Sequence, residues 1–281
     1  MKGLLLMGLA LGGLCAVLGA VSATAADTIA PLFAAHRGGA ALWPENSLLA
    51  FRNAVALGAD YLELDVHLSR DGEVMVIHDP TLDRTTTGTG PVVDRTAAEL
   101  RALRLKDRSQ TVTAEGIPTL DEVVALAAAG GRRLLLEIKV DAGKARYPGI
   151  EERVVAILDR HGMAAATVVM AFEAETWRRV RALRPEIRAG ALYSARALPS
   201  PSAVSRALSE ARSAGVGFMG LAYALVTPEA VAEARKAGVE LGAWTVNEPD
   251  VMRMLIDQGI GVLITDRPDV AKNLLTQRRS P

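Results

Sequence analysis

Short apolar runs alternate with helix-like stretches from Asp27 onwards, and this alternation constrains the fold more than any other feature. Strands that alternate with helices form parallel βαβ units, in which each helix carries the chain back to the start of the next strand. No composition break or low-complexity linker divides the 281 residues, a length at which an α/β barrel forms one domain. The strand candidates are residues 32–36, 61–66, 74–78, 134–139, 167–172, 189–193, 217–221, 239–246 and 261–265. The helix candidates are residues 47–57, 120–129, 150–160, 174–183, 202–214, 228–236, 249–258 and 268–275.

These strand candidates are one more than an eight-stranded barrel needs, and the sequence does not indicate which of them lies outside the ring. A doubly wound open sheet is the alternative architecture. It usually carries G-x-G-x-x-G after its first strand, and that motif is absent here. The run Gly88-Thr89-Gly90 is followed by Pro91 and is typical of a loop. The pattern therefore favours a single-domain α/β barrel.

The first 25 residues have the layout of a secretory signal peptide. Lys2 precedes the apolar segment 4–21, and the small residues Ala23-Thr24-Ala25 form an A-x-A cleavage site. A retained membrane anchor is the alternative, since the segment is nearly long enough to span a bilayer. The small residues favour cleavage. We therefore expect a signal peptide at 1–25, a mature domain at 26–281, a periplasmic or secreted location, and no stable membrane anchor after cleavage.

The charged residues and the cysteine content exclude several classes of function. The chain has 32 basic and 32 acidic residues, so it lacks the excess positive charge of nucleic-acid-binding proteins. A small molecule is the expected partner, and no nucleic acid is expected. Cys15 is the only cysteine and lies in the predicted signal peptide. A mature chain without thiols has no disulfides, no cysteine nucleophile and no zinc–cysteine site.

Ionisable residues stand at the ends of four successive strand candidates. In a parallel barrel, functional groups collect at the C-terminal ends of the strands. Charged side chains inside apolar strands are costly unless they are paired or bind a metal, so their recurrence points to a site. In chain order these residues are His36 and Arg37, Glu63 and Asp65, His78 and Asp79, and Glu137 and Lys139.

The carboxylates in this set predict a metal site. Glu63 and Asp65 are two residues apart, so they project to the same face of a strand, and Glu137 with Lys139 repeats the arrangement. Three converging carboxylates repel one another unless a cation joins them. Oxygen ligands favour one hard divalent cation, Ca²⁺ or Mg²⁺. The alternative is an ion-pair network in which Arg37 and Lys139 neutralise the carboxylates.

Two histidines in such a site indicate general acid–base catalysis, because imidazole can both accept and donate a proton near neutral pH. Hydrolysis of a phosphodiester needs both actions, and we expect His36 and His78 to perform them. The metal and Arg37 would stabilise charge on the phosphoryl oxygens. His67 is expected to be a hydrogen-bonded residue at the barrel rim, with support of the metal site as the alternative. His161 is expected to be a helix-end residue.

Several ordered motifs resemble those of the glycerophosphodiester phosphodiesterases. The resemblance extends to the phosphatidylinositol phospholipase C-like TIM-barrel phosphodiesterases and covers essentially the whole mature chain. H-R-G alone would be a weak match, but so many blocks in order make a specific one. The blocks are His36-Arg37-Gly38, Pro44-Glu45-Asn46-Ser47, Glu63-Leu64-Asp65-Val66, His78-Asp79-Pro80-Thr81-Leu82-Asp83-Arg84, Ile117-Pro118-Thr119-Leu120, Glu137-Ile138-Lys139, Trp244-Thr245-Val246-Asn247 and Thr265-Asp266-Arg267-Pro268.

The resemblance implies a distorted (β/α)₈ TIM barrel that hydrolyses glycerophosphodiesters to glycerol 3-phosphate and an alcohol. It implies that His36 and His78 are the acid–base pair. It further implies that a divalent cation lies on Glu63, Asp65 and Glu137, with Arg37 and Lys139 facing the phosphate. Glu45 would orient Arg37 or a water on the metal, and Trp244 would wall the substrate pocket unless it packs in the core. Asn46 and Ser47 are expected to cap the following helix.

Two other functions are compatible with the same barrel. One is a phospholipase D-like activity on lysophospholipid or sphingomyelin, which needs an apolar surface at the barrel mouth. Met219, Leu221, Tyr223 and Leu225 are the candidates for that surface. The other is a binding module without catalysis, which should lack a histidine or a carboxylate of the site. None is missing, so catalysis is favoured.

Overall fold

The structure is a computed structural model that describes residues 31–279. The predicted signal peptide lies outside the described residues. The strands of this part of the chain are β1 (Leu32–Ala35), β2 (Tyr61–Leu68), β3 (Val74–Val76), β4 (Arg133–Ile138), β5 (Thr167–Ala171), β6 (Arg188–Tyr193), β7 (Phe218–Ala222), β8 (Glu240–Trp244) and β9 (Val262–Thr265). Each barrel strand pairs in parallel with its neighbours, and β1 pairs with both β2 and β9, which closes the ring. The predicted α/β barrel is confirmed.

The strand outside the ring is β3. It runs antiparallel to β2, with Val66 opposite Val76 and Leu68 opposite Val74. This hairpin is possible because β2 continues to Leu68, beyond the level at which it pairs with β1 and β4. The remaining eight strands form the barrel, so the ninth strand candidate is an extension at its rim.

The helices of the described residues are α1 (Leu48–Leu57), α2 (Ala97–Ala102), α3 (Leu120–Ala129), α4 (Ile150–Arg160), α5 (Ala174–Leu183), α6 (Pro201–Ser213), α7 (Pro228–Ala237), α8 (Pro249–Asp257) and α9 (Pro268–Arg279). The eight predicted helices are present, with ends shifted by a few residues. The sequence prediction omitted α2, although Thr96 and Glu99 form a complete capping box at its start. None of the helices in residues 31–279 is long and apolar enough to span a membrane.

Two apolar layers hold the barrel. Outward-facing strand residues pack against the helices and form the larger layer. The smaller layer fills the interior of the ring with Ala34, Tyr61, Leu135, Val168, Met170, Leu192, Phe218, Val262 and Ile264. Interior space is tight, because a methyl group at Gly242 would lie 2.6 Å from Phe218 Cζ. The interior is therefore a packed core, and the space above it, at the C-terminal ends of the strands, is where a barrel of this kind places its functional groups.

Candidate active site

Inward-facing positions change from apolar to ionisable as the strands reach the C-terminal end of the barrel. On β4, Leu135 belongs to the interior core, and Glu137 follows it on the same face. The register places Asp65 of β2 directly beside Glu137. Glu63 lies two residues earlier on β2, inside the strand and not at its end. The strand periodicity thus brings the three predicted carboxylates together.

The three carboxylates of Glu63, Asp65 and Glu137 are buried, and one oxygen of each lies within 4.8 Å of the others. Two cations reach them. Lys139 Nζ lies 2.8 Å from Glu137 Oε1 and 3.4 Å from Asp65 Oδ1, and Arg37 Nε lies 3.6 Å from Asp65 Oδ2. Part of the alternative ion-pair network is therefore present.

This network leaves Glu63 without a side-chain cation at hydrogen-bond distance. Its Oε2 accepts a hydrogen bond from the Arg37 backbone N–H at 2.8 Å, and His36 Nε2 lies 3.9 Å away. Burial raises the pKa of Glu63 well above its usual range, and repulsion by Asp65 and Glu137 raises it further. Lys139 and Arg37 can neutralise only two of the three buried carboxylates. The third negative charge lacks a counter-charge, as is typical of a site that binds a cation.

The other two carboxylates show the same conflict. Burial raises the pKa of Glu137, although Lys139 opposes the rise. Burial also disfavours ionised Asp65, but the charges of Lys139, His78 and Arg37 hold its pKa below its usual range. Asp65 Oδ1 is buried and accepts no hydrogen bond from the described residues, and its contact with Lys139 Nζ at 3.4 Å is an ion pair only. A buried carboxylate oxygen without a hydrogen bond, in a cluster of three carboxylates, fits a hard divalent cation.

His36 is held by a carboxylate that the sequence reasoning did not single out. Its Nδ1 lies 2.6 Å from Asp266 Oδ1, and Asp266 follows β9, the strand that pairs with β1. Burial opposes ionisation of Asp266, but hydrogen bonds from His36 and Asn247 lower its pKa. An ionised carboxylate only accepts hydrogen bonds, so Nδ1 must carry the hydrogen. Nε2 of His36 is thereby left as the ring nitrogen available for proton transfer.

His78 also pairs with an aspartate through Nδ1, but a different kind of element positions it. The strand candidate that it ends is the one outside the ring, because β3 returns antiparallel along β2 and brings His78 back toward the carboxylates. Its Nδ1 lies 2.6 Å from Asp79 Oδ1. Hydrogen bonds from His78 and Arg84 outweigh the effect of burial and lower the pKa of Asp79. Nε2 of His78 is again the nitrogen left for proton transfer.

A chain of charged contacts links the two sides of the site through Arg84 and Glu45. The Arg84 guanidinium donates to both oxygens of Asp79 and to both oxygens of Glu45, at 2.6 to 2.9 Å. Glu45 also accepts from Arg37 Nη1 at 3.0 Å. Glu45 therefore orients Arg37, one of the two roles implied by the resemblance. Arg84 was missed, although it stands in the same motif as His78.

The remaining predicted residues have the following places. His67 is buried, with Nδ1 2.8 Å from Tyr147 Oη and Nε2 3.0 Å from the His78 carbonyl oxygen, so the expected hydrogen-bonded role is confirmed. Burial lowers its pKa to about 4. His161 is the C-cap of α4, and its Nε2 lies 2.9 Å from Asp121 Oδ1, as expected for a helix-end residue.

One of the two helix-capping predictions is wrong. Ser47 is the N-cap of α1 and accepts from the Ala50 N–H at 3.0 Å, as predicted. Asn46 does not cap the helix, because its positive φ of 56° turns the side chain into the barrel. Its Nδ2 donates to Asp65 Oδ2 at 3.0 Å. Asn46 therefore supports a buried carboxylate of the site.

A pocket of about 130 Å³ lies over the carboxylates, between both histidines and an apolar wall. Trp244 and Phe172 form that wall, with their rings edge to face at 5.7 Å. The expectation that Met219 and Leu221 lie at an apolar mouth is wrong. Both point outward from β7 and are fully buried against the helices. Only Tyr223 and Leu225 of that set are partly exposed near the mouth.

Comparison with known proteins gives extensive matches. Residues 36–270 match the model of the glycerophosphoryl diester phosphodiesterase family. The chain is 36% identical over 245 residues to a glycerophosphodiester phosphodiesterase of Caldanaerobacter subterraneus subsp. tengcongensis, over 87% of this chain and 97% of that protein. It is 31% identical over 255 residues to a Bacillus subtilis glycerophosphodiester phosphodiesterase, covering 85% and 84% of the two chains.

Solved structures are similar as well. A glycerophosphodiester phosphodiesterase from Agrobacterium tumefaciens superimposes with a TM-score of 0.71 at 28% identity, over 86% of this chain and 99% of that one. An Oleispira antarctica phosphodiesterase in complex with the product sn-glycerol-3-phosphate gives a TM-score of 0.76 at 28% identity. That match covers 88% of this chain and 97% of the other.

Proposed function

This chain belongs to the glycerophosphoryl diester phosphodiesterase family and is a glycerophosphodiester phosphodiesterase, and from that premise we propose that it uses a divalent cation and a histidine pair to release glycerol 3-phosphate. The observation that carries the proposal is the meeting of three buried carboxylates and two histidine–aspartate pairs at one pocket. The second product is the alcohol that was esterified to the phosphate.

The cation would lie on Glu63, Asp65 and Glu137. Support comes from the incomplete neutralisation of these carboxylates and from the unsatisfied Oδ1 of Asp65. The ligand chemistry is that of Ca²⁺ or Mg²⁺, because all three side chains offer oxygen. When bound, such a cation supplies positive charge for the phosphoryl oxygens.

The two histidines would divide the proton transfers. One Nε2 accepts the proton of the attacking hydroxyl, and the other Nε2 donates a proton to the leaving alkoxide. Over the whole reaction one water is consumed and one P–O bond to the alcohol breaks. The alcohol keeps the donated proton. The attacking hydroxyl is either water or the glycerol 2-hydroxyl, in which case water opens a cyclic phosphate in a second step.

Arg37 and Lys139 would face the phosphate. Their positive charges lie beside the carboxylates, and Glu45 fixes the Arg37 guanidinium through its Nη1. Such preorganised charges stabilise the negative charge that develops on the phosphoryl oxygens. Trp244 and Phe172 would pack against the carbon atoms of glycerol, a group small enough for a pocket of about 130 Å³.

The experiment is a phosphodiesterase assay on a panel of glycerophosphodiesters, with and without chelator. We expect glycerol 3-phosphate as a product, loss of activity in chelator, and recovery with Ca²⁺ or Mg²⁺. Full activity in chelator would contradict the cation and leave the ion-pair network as the account of the carboxylates. The export of the enzyme to the periplasm or medium, after removal of residues 1–25, belongs to the same proposal.

A further inference from the structure

A second cavity, of about 420 Å³, adjoins the catalytic pocket. The two cavities share His36, Arg37 and Thr245 in their walls. The catalytic pocket is too small for much more than glycerol and a phosphate. The part of a substrate beyond the scissile phosphate therefore needs the second cavity.

Two cations of this second cavity have no role in the proposed mechanism and, unlike Arg84, no carboxylate partner. They are Lys106, which is partly buried, and Arg108, which is exposed. Within residues 31–279, neither side chain has a hydrogen bond or an ion pair to another protein group. A partly buried ammonium without a carboxylate partner is unusual, because desolvation disfavours the charge.

The acidic residues of the cavity form no ion pair with either cation. Glu45 is bound by Arg37 and Arg84, and Asp266 is bound by His36 and Asn247. Asp107 stands between the two cations in sequence, and its Oδ1 accepts from the N–H and hydroxyl of Ser109 and from the Thr111 N–H. Two cations beside the one carboxylate of Asp107 leave this wall with a net positive charge that can bind an anion.

The segment that carries the two cations is held in place by backbone hydrogen bonds. Residues 105–107 pair antiparallel with residues 111–113, through the Lys106–Val112 bridge and the Thr113 N–H to the Leu105 carbonyl. The Lys106 N–H donates to the Thr85 carbonyl at 2.8 Å, which anchors the hairpin beside the motif of His78. The backbone at Lys106 is thereby fixed, so less conformational entropy is lost there when an anion binds.

We infer that this wall, defined by Lys106 and Arg108, binds a second phosphate on the alcohol portion of the substrate. The preferred substrate class is therefore glycerophosphodiesters whose alcohol is itself phosphorylated, over those with an uncharged or cationic alcohol. Lysine and arginine together suit a phosphate because one is a point charge and the other a planar fork of donors. The inference rests on the proposed function, since it concerns the leaving group of that reaction.

The test compares two substrates that differ by one phosphate, glycerophosphoglycerol and glycerophosphoglycerol phosphate. Loss of the diester is followed by phosphorus NMR, and kcat/KM is measured for the wild type, Lys106→Met and Arg108→Gln. Lys236→Met is the matched control, because this exposed lysine lies near the end of α7. We expect the wild type to prefer the phosphorylated substrate. In each variant kcat/KM should fall about tenfold on the phosphorylated substrate, the usual effect of removing a hydrogen bond to a charged group. On the other substrate it should fall less than twofold.

The outcomes separate the inference from the proposed function. A wild type that hydrolyses no member of the glycerophosphodiester panel refutes the proposed function and the inference with it, whereas one that hydrolyses other members but neither of these two substrates refutes the inference alone. A wild type that hydrolyses both without preference, or variants that lose equally on both, refute the inference alone. Circular dichroism and thermal melting identify a variant that has lost activity because it is misfolded. The other of the two variants, Lys106→Met or Arg108→Gln, then tests the inference.

Discussion

Replacing Asp266 with asparagine should reverse the tautomer of His36. Asn247 Nδ2 donates to Asp266 Oδ2 at 2.8 Å, while Asn247 Oδ1 accepts from the Asp266 backbone N–H and the Thr265 hydroxyl. The orientation of Asn247 is thus fixed by the backbone. An asparagine at 266 must then turn its oxygen toward Asn247 and its NH₂ toward His36 Nδ1. Because an NH₂ group only donates, Nδ1 must accept and can no longer carry the hydrogen.

The size of the effect distinguishes this reversal from a simple loss of charge. If the new amide oxygen still accepted from Nδ1, the bond would weaken by about 1–2 kcal/mol, the difference between a charged and a neutral acceptor. That is roughly a 5- to 30-fold loss in rate. If the tautomer reverses, Nε2 carries the hydrogen and cannot accept a proton, and an imidazolium would face a donor at Nδ1. The proton transfer is then lost, which costs roughly 10²–10⁴-fold.

The assay is kcat and KM on a glycerophosphodiester for Asp266→Asn, with Asp269→Asn as the control. Asp269 pairs with Arg267 outside the pocket, so the same chemical change there should be nearly neutral. We expect a loss of more than 100-fold for Asp266→Asn, mostly in kcat. Adding Asn247→Ala should restore part of that activity, because the amide at 266 is then free to offer its oxygen to His36.

Two results would refute the reasoning. A loss below about 30-fold would mean that the amide accepts from Nδ1 despite Asn247. A double variant no more active than Asp266→Asn, at an unchanged melting temperature, would mean that Asn247 does not govern the orientation.

The other expected outcomes are these. His36→Ala and His78→Ala should each lose roughly 10²–10⁴-fold, the double variant should lose far less than the product, and a nitrophenyl leaving group should rescue only the variant of the general acid. Glu63→Gln should weaken Ca²⁺ or Mg²⁺ binding in calorimetry, and equal affinity would contradict its role as a ligand. N-terminal sequencing of the exported protein should begin near Ala26, whereas an intact N-terminus would indicate a retained anchor. A hydrogen bond from Arg101 lowers the pKa of Glu122. The stability from its ionised form is therefore present above the usual pKa and lost as the pH falls below it, and Glu122→Gln should flatten that loss in thermal melts recorded between pH 6 and 3.

Most of the fold could be predicted because strand and helix periodicities differ and turn signals separate them. The errors have local causes. β3 has the apolar content of a barrel strand, and only its pairing with Leu68 and Val66 of β2 shows that it lies outside the ring. Met219 and Leu221 were assigned to the mouth because sequence does not show which face of β7 points inward.

Site residues could be predicted where ionisable side chains lie two positions apart in a strand. They were harder to predict where the two partners are far apart in the sequence. Glu63 and Asp65 share a strand face by periodicity alone. Asp266 is 230 residues from His36, and no local pattern joins them. The role of Asn46 depends on a positive φ that a helix-capping pattern does not reveal. Contacts set by barrel closure and by backbone conformation therefore needed the structure.

The closure of the ring also bears on how the protein is made. Both histidines and all three carboxylates have been synthesised by residue 137, when less than half of the chain exists. The partner of His36 follows the last strand, which pairs with the first. A nascent chain with only its N-terminal half therefore holds every acid, base and ligand proposed for the reaction but lacks the carboxylate that sets one imidazole. Activity should appear only after the C-terminal strand has docked against β1, so the appearance of activity during refolding reports the slowest, most non-local step of assembly.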